Sequence, residues 1–369
     1  MVNTSALPAL SLRGVSKRFG GTEILRDIHL DVRRGEMVTL LGPSGCGKST
    51  TLNCVTGIVS PDAGEICIEG VDVTHAPIHA RDCGLVFQSF ALFPHLSTYE
   101  NVAFPLRIRK LPKAEIAQRV DEALALVGLA DHAKKFPAQL SGGQQQRVGL
   151  CRSLVYRPKV LLFDEPLSNL DAKLRETMRF EIREIQRQYG ITSIFVTHDQ
   201  QEALAISDRI AVMDRGRIVQ YDTPFEVYSH RATEFVAGFI GLANLLPGTV
   251  ESCTEGWALI RVRSALCTVK TDRALSVGAR VICSVRPKDV QVIPGENANC
   301  EDRNNVYSAE VVRKTFLGEV VDYRVAVDGL GDLRIVTEHV LAADVGDTLH
   351  VHLPPDRCWP IADDARGAK

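Results

Sequence analysis

Gly42-Pro43-Ser44-Gly45-Cys46-Gly47-Lys48-Ser49-Thr50 constrains this chain more than any other stretch. It matches G-x-x-x-x-G-K-[ST], and its flanks carry the meaning. Met37-Val38-Thr39-Leu40-Leu41 before it is a short, nearly continuous apolar run, the pattern of a strand buried on both faces of a parallel sheet. Lys48–Thr56 after it reads as a helix, with Gly57 placed to end it. Strand, glycine turn and helix in that order fix an α/β architecture with parallel strands. Glycines let successive backbone N–H groups converge on an anion without a Cβ in the way, and the helix N-terminus adds its dipole. Lys48 is then placed to reach the β- and γ-phosphates of a nucleotide, and the Ser49 hydroxyl to hold Mg²⁺.

The rest of the first 240 residues alternates in the same way. Residues 9–35 read as strands and turns, with Ile28-His29-Leu30-Asp31-Val32 alternating in hydrophobicity. Pro105 and Pro112 bracket a short element. Ala114–Val127 then carries Ile116, Val120, Leu124 and Val127 at helical spacing, so a helical insertion is expected over about 89–150. Val160–Phe163, Ile191–Val196 and Arg209–Met213 read as further strands. Ala172–Gln188 reads as an amphipathic helix, with Leu174, Met178, Ile182 and Ile185 on one stripe and Gly190 at its stop. After Gly241-Leu242-Ala243-Asn244 helical patterns give way to short strands: Val281–Val285, Val290–Ile293, Val320–Val327, Arg334–Val336 and Leu349–Leu353. That spacing predicts a small all-β, OB-like domain over 245–360, with a frayed tail from Ala362 to Lys369.

Two further sites carry chemistry. Leu161-Leu162-Phe163-Asp164-Glu165 is an apolar strand ending in two carboxylates. Asp164 is placed to hold the metal and Glu165 to act as the general base on water, a role worth roughly 10²–10⁴ in rate. Leu140-Ser141-Gly142-Gly143-Gln144 opens a helix, and Ser141 is a good N-cap in any protein.

Phosphate loop, Leu140–Gln144 and the acidic strand end, in this order, resemble the ABC ATPase family, the nucleotide-hydrolysing subunits of ABC transporters. The resemblance covers roughly residues 9–240. It implies an ABC cassette of P-loop NTPase fold with a helical insertion, binding ATP through Gly42–Thr50, with Phe19 stacked on adenine. Gln88, after Leu85-Val86-Phe87, matches the glutamine loop that senses metal and water and contacts the membrane partner. His198, after Ile194–Thr197, matches the switch histidine that touches the γ-phosphate. By the same resemblance Ser141, Gly142, Gly143 and Gln144 meet the triphosphate of a second chain in a head-to-tail homodimer, and Ser168, Asn169, Leu170 and Asp171 line the dimer interface. Cys46, in an amide-rich loop beside Lys48, is expected to have a lowered pKa and to react readily.

Composition bounds the setting. A formal net charge of −2 gives no reason to expect a nucleic-acid partner. The 10 cysteines show no paired metal-ligand spacing, a pattern of reduced thiols in a cytosolic protein. Met1–Ser5 has neither the basic start nor the apolar core of a signal peptide, and no run of about 18 apolar residues is present. One cassette, no membrane span and a strand-rich extension containing Asn244-Leu245-Leu246-Pro247-Gly248 and Val285-Arg286-Pro287-Lys288-Asp289-Val290 look like bacterial importer ATPases with a TOBE-type domain. Their closest-looking members energise uptake of polyamines, ferric iron, sulfate, sugars or phosphonates. The resemblance implies integral-membrane permease partners, an indirect periplasmic or lipid-anchored solute-binding protein, and a peripheral position on the cytoplasmic face of the membrane. The competing expectation is a soluble ABC ATPase acting on ribosomes or DNA; such relatives carry two cassettes or a long coiled-coil insertion, and neither is seen here. A regulatory role for the C-terminal domain could coexist with transport.

Overall fold

A computed structural model describes residues 7–293 and 304–362, so most of the tail expected to fray lies outside the described residues. The chain divides into two compact units, Met1–Phe225 and Glu226–Lys369.

In the first unit, β1 (Leu10–Phe19) and β2 (Thr22–Val32) form a hairpin that joins β4 (Ala63–Ile68) and β5 (Val71–Asp72) in an antiparallel sheet of order β2-β1-β4-β5. The central sheet has order β10-β9-β3-β8-β7-β6. Its members are β3 (Met37–Leu41), β6 (Cys83–Val86), β7 (Val160–Asp164), β8 (Thr192–Thr197), β9 (Arg209–Asp214) and β10 (Arg217–Asp222). All its pairs are parallel except β9 with β10. Every residue of β3 and of β8 is buried, as their apolar runs require.

Helix α1 (Lys48–Thr56) starts after Gly47 and stops at Gly57, which takes the left-handed conformation and donates its N–H to Asn53 O at 3.1 Å. The insertion contains α2 (Thr98–Ile108), α3 (Lys113–Leu126) and α4 (Gly142–Leu154). Pro105 does not bound an element, as its sequence neighbourhood suggested; it lies inside α2. A Ser97–Glu100 capping box and a buried face of Val102, Ala103 and Leu106 hold that helix through the missing N–H.

Helix α5 (Ala172–Tyr189) buries Met178, Ile182 and Ile185 and also Arg183, whose guanidinium pairs with Asp208. Asp208 in turn accepts from the Met37 N–H at 2.8 Å, which ties α5 to the start of β3. Helix α6 (Gln200–Ile206) follows β8, capped by Asp199.

The second unit is built almost entirely from antiparallel strands. β11 (Asn244–Thr254), β12 (Trp257–Val262), β13 (Ala265–Lys270), β14 (Arg280–Val285) and β20 (Trp359–Ala362) form one sheet of order β13-β12-β11-β14-β20. β15 (Gln291–Ile293), β16 (Val306–Phe316), β17 (Val321–Val327), β18 (Gly331–Thr337) and β19 (Thr348–His352) form a second, of order β15-β19-β16-β17-β18. Residues of both sheets share one apolar core that includes Ile260, Val285, Val311, Tyr323 and Val351. The helical segment 226–240, placed by sequence with the first domain, falls in this unit: Ala237 packs against Ile282 and Ile361, and Arg231 donates to Ser284 Oγ at 3.1 Å.

Candidate nucleotide site

Register alone assembles the site. Leu41 pairs with Thr197, Val196 with Asp164, and Phe163 with Val86. Strands β3, β8, β7 and β6 therefore end at one level along the carboxyl edge of the central sheet. The residues that follow are the glycine loop, His198, Glu165 and Gln88. Open α/β sheets bind ligands at this edge.

The glycine loop is shaped by close approach. A Cβ on Gly42 would lie 2.4 Å from Met213 O and 2.7 Å from Cys46 Sγ. Gly45 and Gly47 have φ of +81° and +108°, values that any L side chain would strain. Lys48 is buried, and its ammonium donates to Gly42 O at 2.7 Å and to Pro43 O at 3.0 Å. Ser49 Oγ donates to Asp164 Oδ1 at 2.9 Å. Burial pushes the Asp164 carboxyl above its ordinary pKa, with the Ser49 hydrogen bond pulling the other way and the Glu165 charge adding to the rise. Ser49 and Asp164 together offer hard oxygen donors, the chemistry that suits Mg²⁺.

Glu165 Oε2 lies 3.1 Å from His198 Nδ1. The Glu165 backbone sits at φ +44°, a left-handed conformation costing a non-glycine residue about 1–2 kcal/mol. Its N–H donates to Val196 O at 3.1 Å, and its carbonyl accepts from Ser168 Oγ at 2.9 Å. Strain held this way at a carboxylate points to a position fixed for chemistry.

The expected interface loop is tied to the same centre. Asn169 Nδ2 donates to the Gln88 carbonyl at 3.0 Å, and Asp171 Oδ1 accepts from the Leu174 N–H at 2.9 Å, capping α5. Leu170 is buried. Gln88 reaches the site through its main chain here, while its side chain is exposed. Arg152 escaped sequence reasoning: its guanidinium donates to Ala91 O at 2.7 Å and Phe90 O at 2.9 Å, and both carbonyls belong to residues at positive φ. It pins the glutamine loop to α4. An arginine within the Val148–Leu154 stretch of that helix was the signal available.

Ser141 and Gln144 form a reciprocal capping box at the start of α4, with Ser141 and Gly142 exposed. Gly143 is buried, and a Cβ there would meet Leu174 Cδ1 at 2.9 Å. A larger residue at 143 would have to push the Leu174 side chain of α5 aside. Phe19 is 48% exposed at the end of β1, open for a planar ligand.

Cys46 corrects an expectation. Its side chain is 4% exposed, and burial raises the thiol pKa above its ordinary value despite the opposing charge of Lys48, 3.9 Å away. Sequence proximity to a cation overlooked desolvation, the larger effect. A maleimide at pH 7 is accordingly expected to label Cys46 well below the rate of an exposed cysteine peptide, because burial both shields the sulfur and disfavours the thiolate. Peptide mapping over time checks this, and prompt stoichiometric labelling at Cys46 would contradict it.

Comparison with known proteins finds relatives of both parts of the chain. The ABC transporter family profile matches residues 25–168 and the TOBE domain profile residues 270–361. The chain is 49% identical over 319 residues to "Spermidine/putrescine import ATP-binding protein PotA" of Methylococcus capsulatus, covering 86% of this chain and 82% of that one. It is 43% identical over 359 residues to "Fe(3+) ions import ATP-binding protein FbpC" of Escherichia coli, covering 96% and 98%. Among solved structures, CbiO1 of Clostridium perfringens, part of the ABC transporter complex CbiONQ, superposes with a TM-score of 0.57 at 33% identity, over 61% of this chain and 92% of that one.

Proposed function

This chain belongs to the ABC transporter family as an ATP-binding cassette followed by a TOBE domain, and on that premise we propose that two copies clamp ATP between them and drive solute import through separate membrane permeases. The carrying observation is the strand-edge assembly, with Ser49 on Asp164 and Glu165 on His198. Relatives named for import disfavour the reading as a soluble ATPase on ribosomes or DNA.

Phosphates sit on the amides of Gly45–Thr50, with Phe19 against the adenine. The Lys48 ammonium exchanges its carbonyl partners for β- and γ-phosphate oxygens. Ser49 and Asp164, together with Gln88, would hold Mg²⁺, which when bound would neutralise charge on the triphosphate. Glu165 takes the proton from the attacking water while His198 holds the γ-phosphate. Ser141, Gly142, Gly143 and Gln144 of the second copy close the site, and Ser168–Asp171 carries the interface. Its bonds to Glu165 O and Gln88 O give that loop a direct hold on both the base and the glutamine loop.

Beside the glutamine loop lies a groove of about 470 Å³ lined by Leu85, Phe87, Phe93, Phe104, Ile108 and Tyr156. It fits an apolar permease segment, and closure of the pair would move it. No helix among the described residues is long and apolar enough to cross a membrane, which suits a peripheral subunit on the cytoplasmic face. Relatives named for spermidine/putrescine and for Fe(3+) favour a small cationic solute, delivered by a periplasmic or lipid-anchored binding protein. Co-purification from detergent-solubilised membranes tests the assembly: multi-span partners are expected, and ribosomes or DNA in their place would overturn it.

Lys48→Ala removes a charge-assisted contact worth about 1.5–3 kcal/mol, so ATP affinity should fall roughly tenfold to a hundredfold. Calorimetry with the folded variant reads this directly. Unchanged affinity would mean that Lys48 keeps its carbonyl partners when nucleotide is bound.

A further inference from the structure

Three cysteines far apart in sequence meet inside the second unit. Cys267 lies on β13, Cys283 on β14, and Cys358 immediately precedes β20. All three are fully buried, and their sulfurs lie within 4.8 Å of one another, with Cys267 Sγ 3.9 Å from Cys283 Sγ. Sulfurs bound to one ion at about 2.3 Å each stand roughly 3.8–4 Å apart in tetrahedral or trigonal geometry. The observed spacing is that of a site needing little rearrangement.

The position in the sheet gives the cluster a purpose. β13 and β20 are its two edge strands in hydrogen-bonding order, yet the curl of the sheet brings them together. Edge strands are the weak margins of a sheet, and proteins cover or close them. Here the Asn305 side chain already bonds both the N–H and the carbonyl of Thr268 on β13. An ion held by Cys267, Cys283 and Cys358 would join one edge to the other through the interior.

We propose that Cys267, Cys283 and Cys358 form a trithiolate site for one thiophilic cation, Cu(I) in preference to Zn(II), which closes the C-terminal β unit. No fourth cysteine, histidine or carboxylate completes the group among the described residues. Structural zinc is almost always four-coordinate, whereas soft thiolates without a fourth donor suit Cu(I). Binding releases the thiol protons to solvent and leaves the ion's oxidation state unchanged.

The full-length reduced protein is refolded anaerobically with Cu(I), or with Zn(II), against a competing chelator. One tightly held Cu(I) is expected, with a first shell of sulfur alone by X-ray absorption. The unfolding midpoint of the C-terminal unit should rise by about 5–10 °C when free ion is roughly a hundred times the dissociation constant. Cys283→Ala and Cys358→Ala should each abolish that equivalent, while Cys253→Ala, on β11 of the same unit, should retain it. The absorption measurement uses the wild-type chain, so it stands even if a variant fails to fold. Tight Zn(II) binding without Cu(I) would overturn the choice of ion. No stoichiometric ion, an oxygen- or nitrogen-containing shell, or a Cys267–Cys283 disulfide in place of the ion would overturn the site.

Discussion

Glu165→Gln should bind ATP as the native chain does and hydrolyse it roughly 10²–10⁴-fold more slowly. The substitution keeps the size and one acceptor oxygen, so the contact with His198 Nδ1, now 3.1 Å, can persist. What it removes is basicity at the water. The φ of +44° and the bonds from Glu165 N–H to Val196 and from Ser168 to the Glu165 carbonyl involve the main chain, so the substituted side chain is still delivered to the same place. With hydrolysis blocked and the γ-phosphate retained, the closed pair has no route to reopen, so the variant should accumulate as a dimer with ATP. Phosphate release, nucleotide binding and sedimentation with and without ATP measure the three parts separately. Turnover near the wild-type rate would show that another group accepts the proton. A loss of ATP affinity matching the loss of turnover would assign Glu165 to binding.

Much of this centre is readable from the chain because its signals are local. The glycine loop needs positive φ at Gly45 and Gly47, and helix α1 begins and ends where Lys48 and Gly57 place it. Ser141 caps α4, as a serine just ahead of a helix is expected to. Signals that depend on approach between distant segments were not readable. Gly64 at the start of β4 has no local reason to be a glycine, yet a Cβ there would lie 2.4 Å from Gly14 O, so it is the close approach of the backbone at the start of β4 to β1 that demands it. Cys46 shows the same limit for chemistry. Its neighbours in sequence argue for a low pKa, and its burial, a tertiary property, decides the other way. The Cys267, Cys283 and Cys358 cluster has no regular spacing and exists only because the sheet curls.

Ser141→Arg tests whether a second chain completes the site. Ser141 is exposed, so an arginine fits in the isolated chain at the loss of a cap worth about 1 kcal/mol. In the closed pair the same arginine would occupy the surface meant for the partner's triphosphate and displace the amides of α4 from it. Removing donors of that kind typically lowers turnover roughly 10²–10³-fold. ATP binding measured at low protein concentration should stay unchanged, because Phe19 and Gly42–Thr50 belong to the same chain as each other. Mixing Ser141→Arg with Lys48→Ala then gives a sharper result. Heterodimers pair the intact loop of one chain with the intact helix start of the other, so random mixing of independent sites rebuilds roughly a quarter of the wild-type sites. Turnover should therefore exceed that of either variant alone. If Ser141→Arg hydrolyses ATP at the native rate, or loses ATP affinity as an isolated chain, the helix start does not act on a partner's nucleotide.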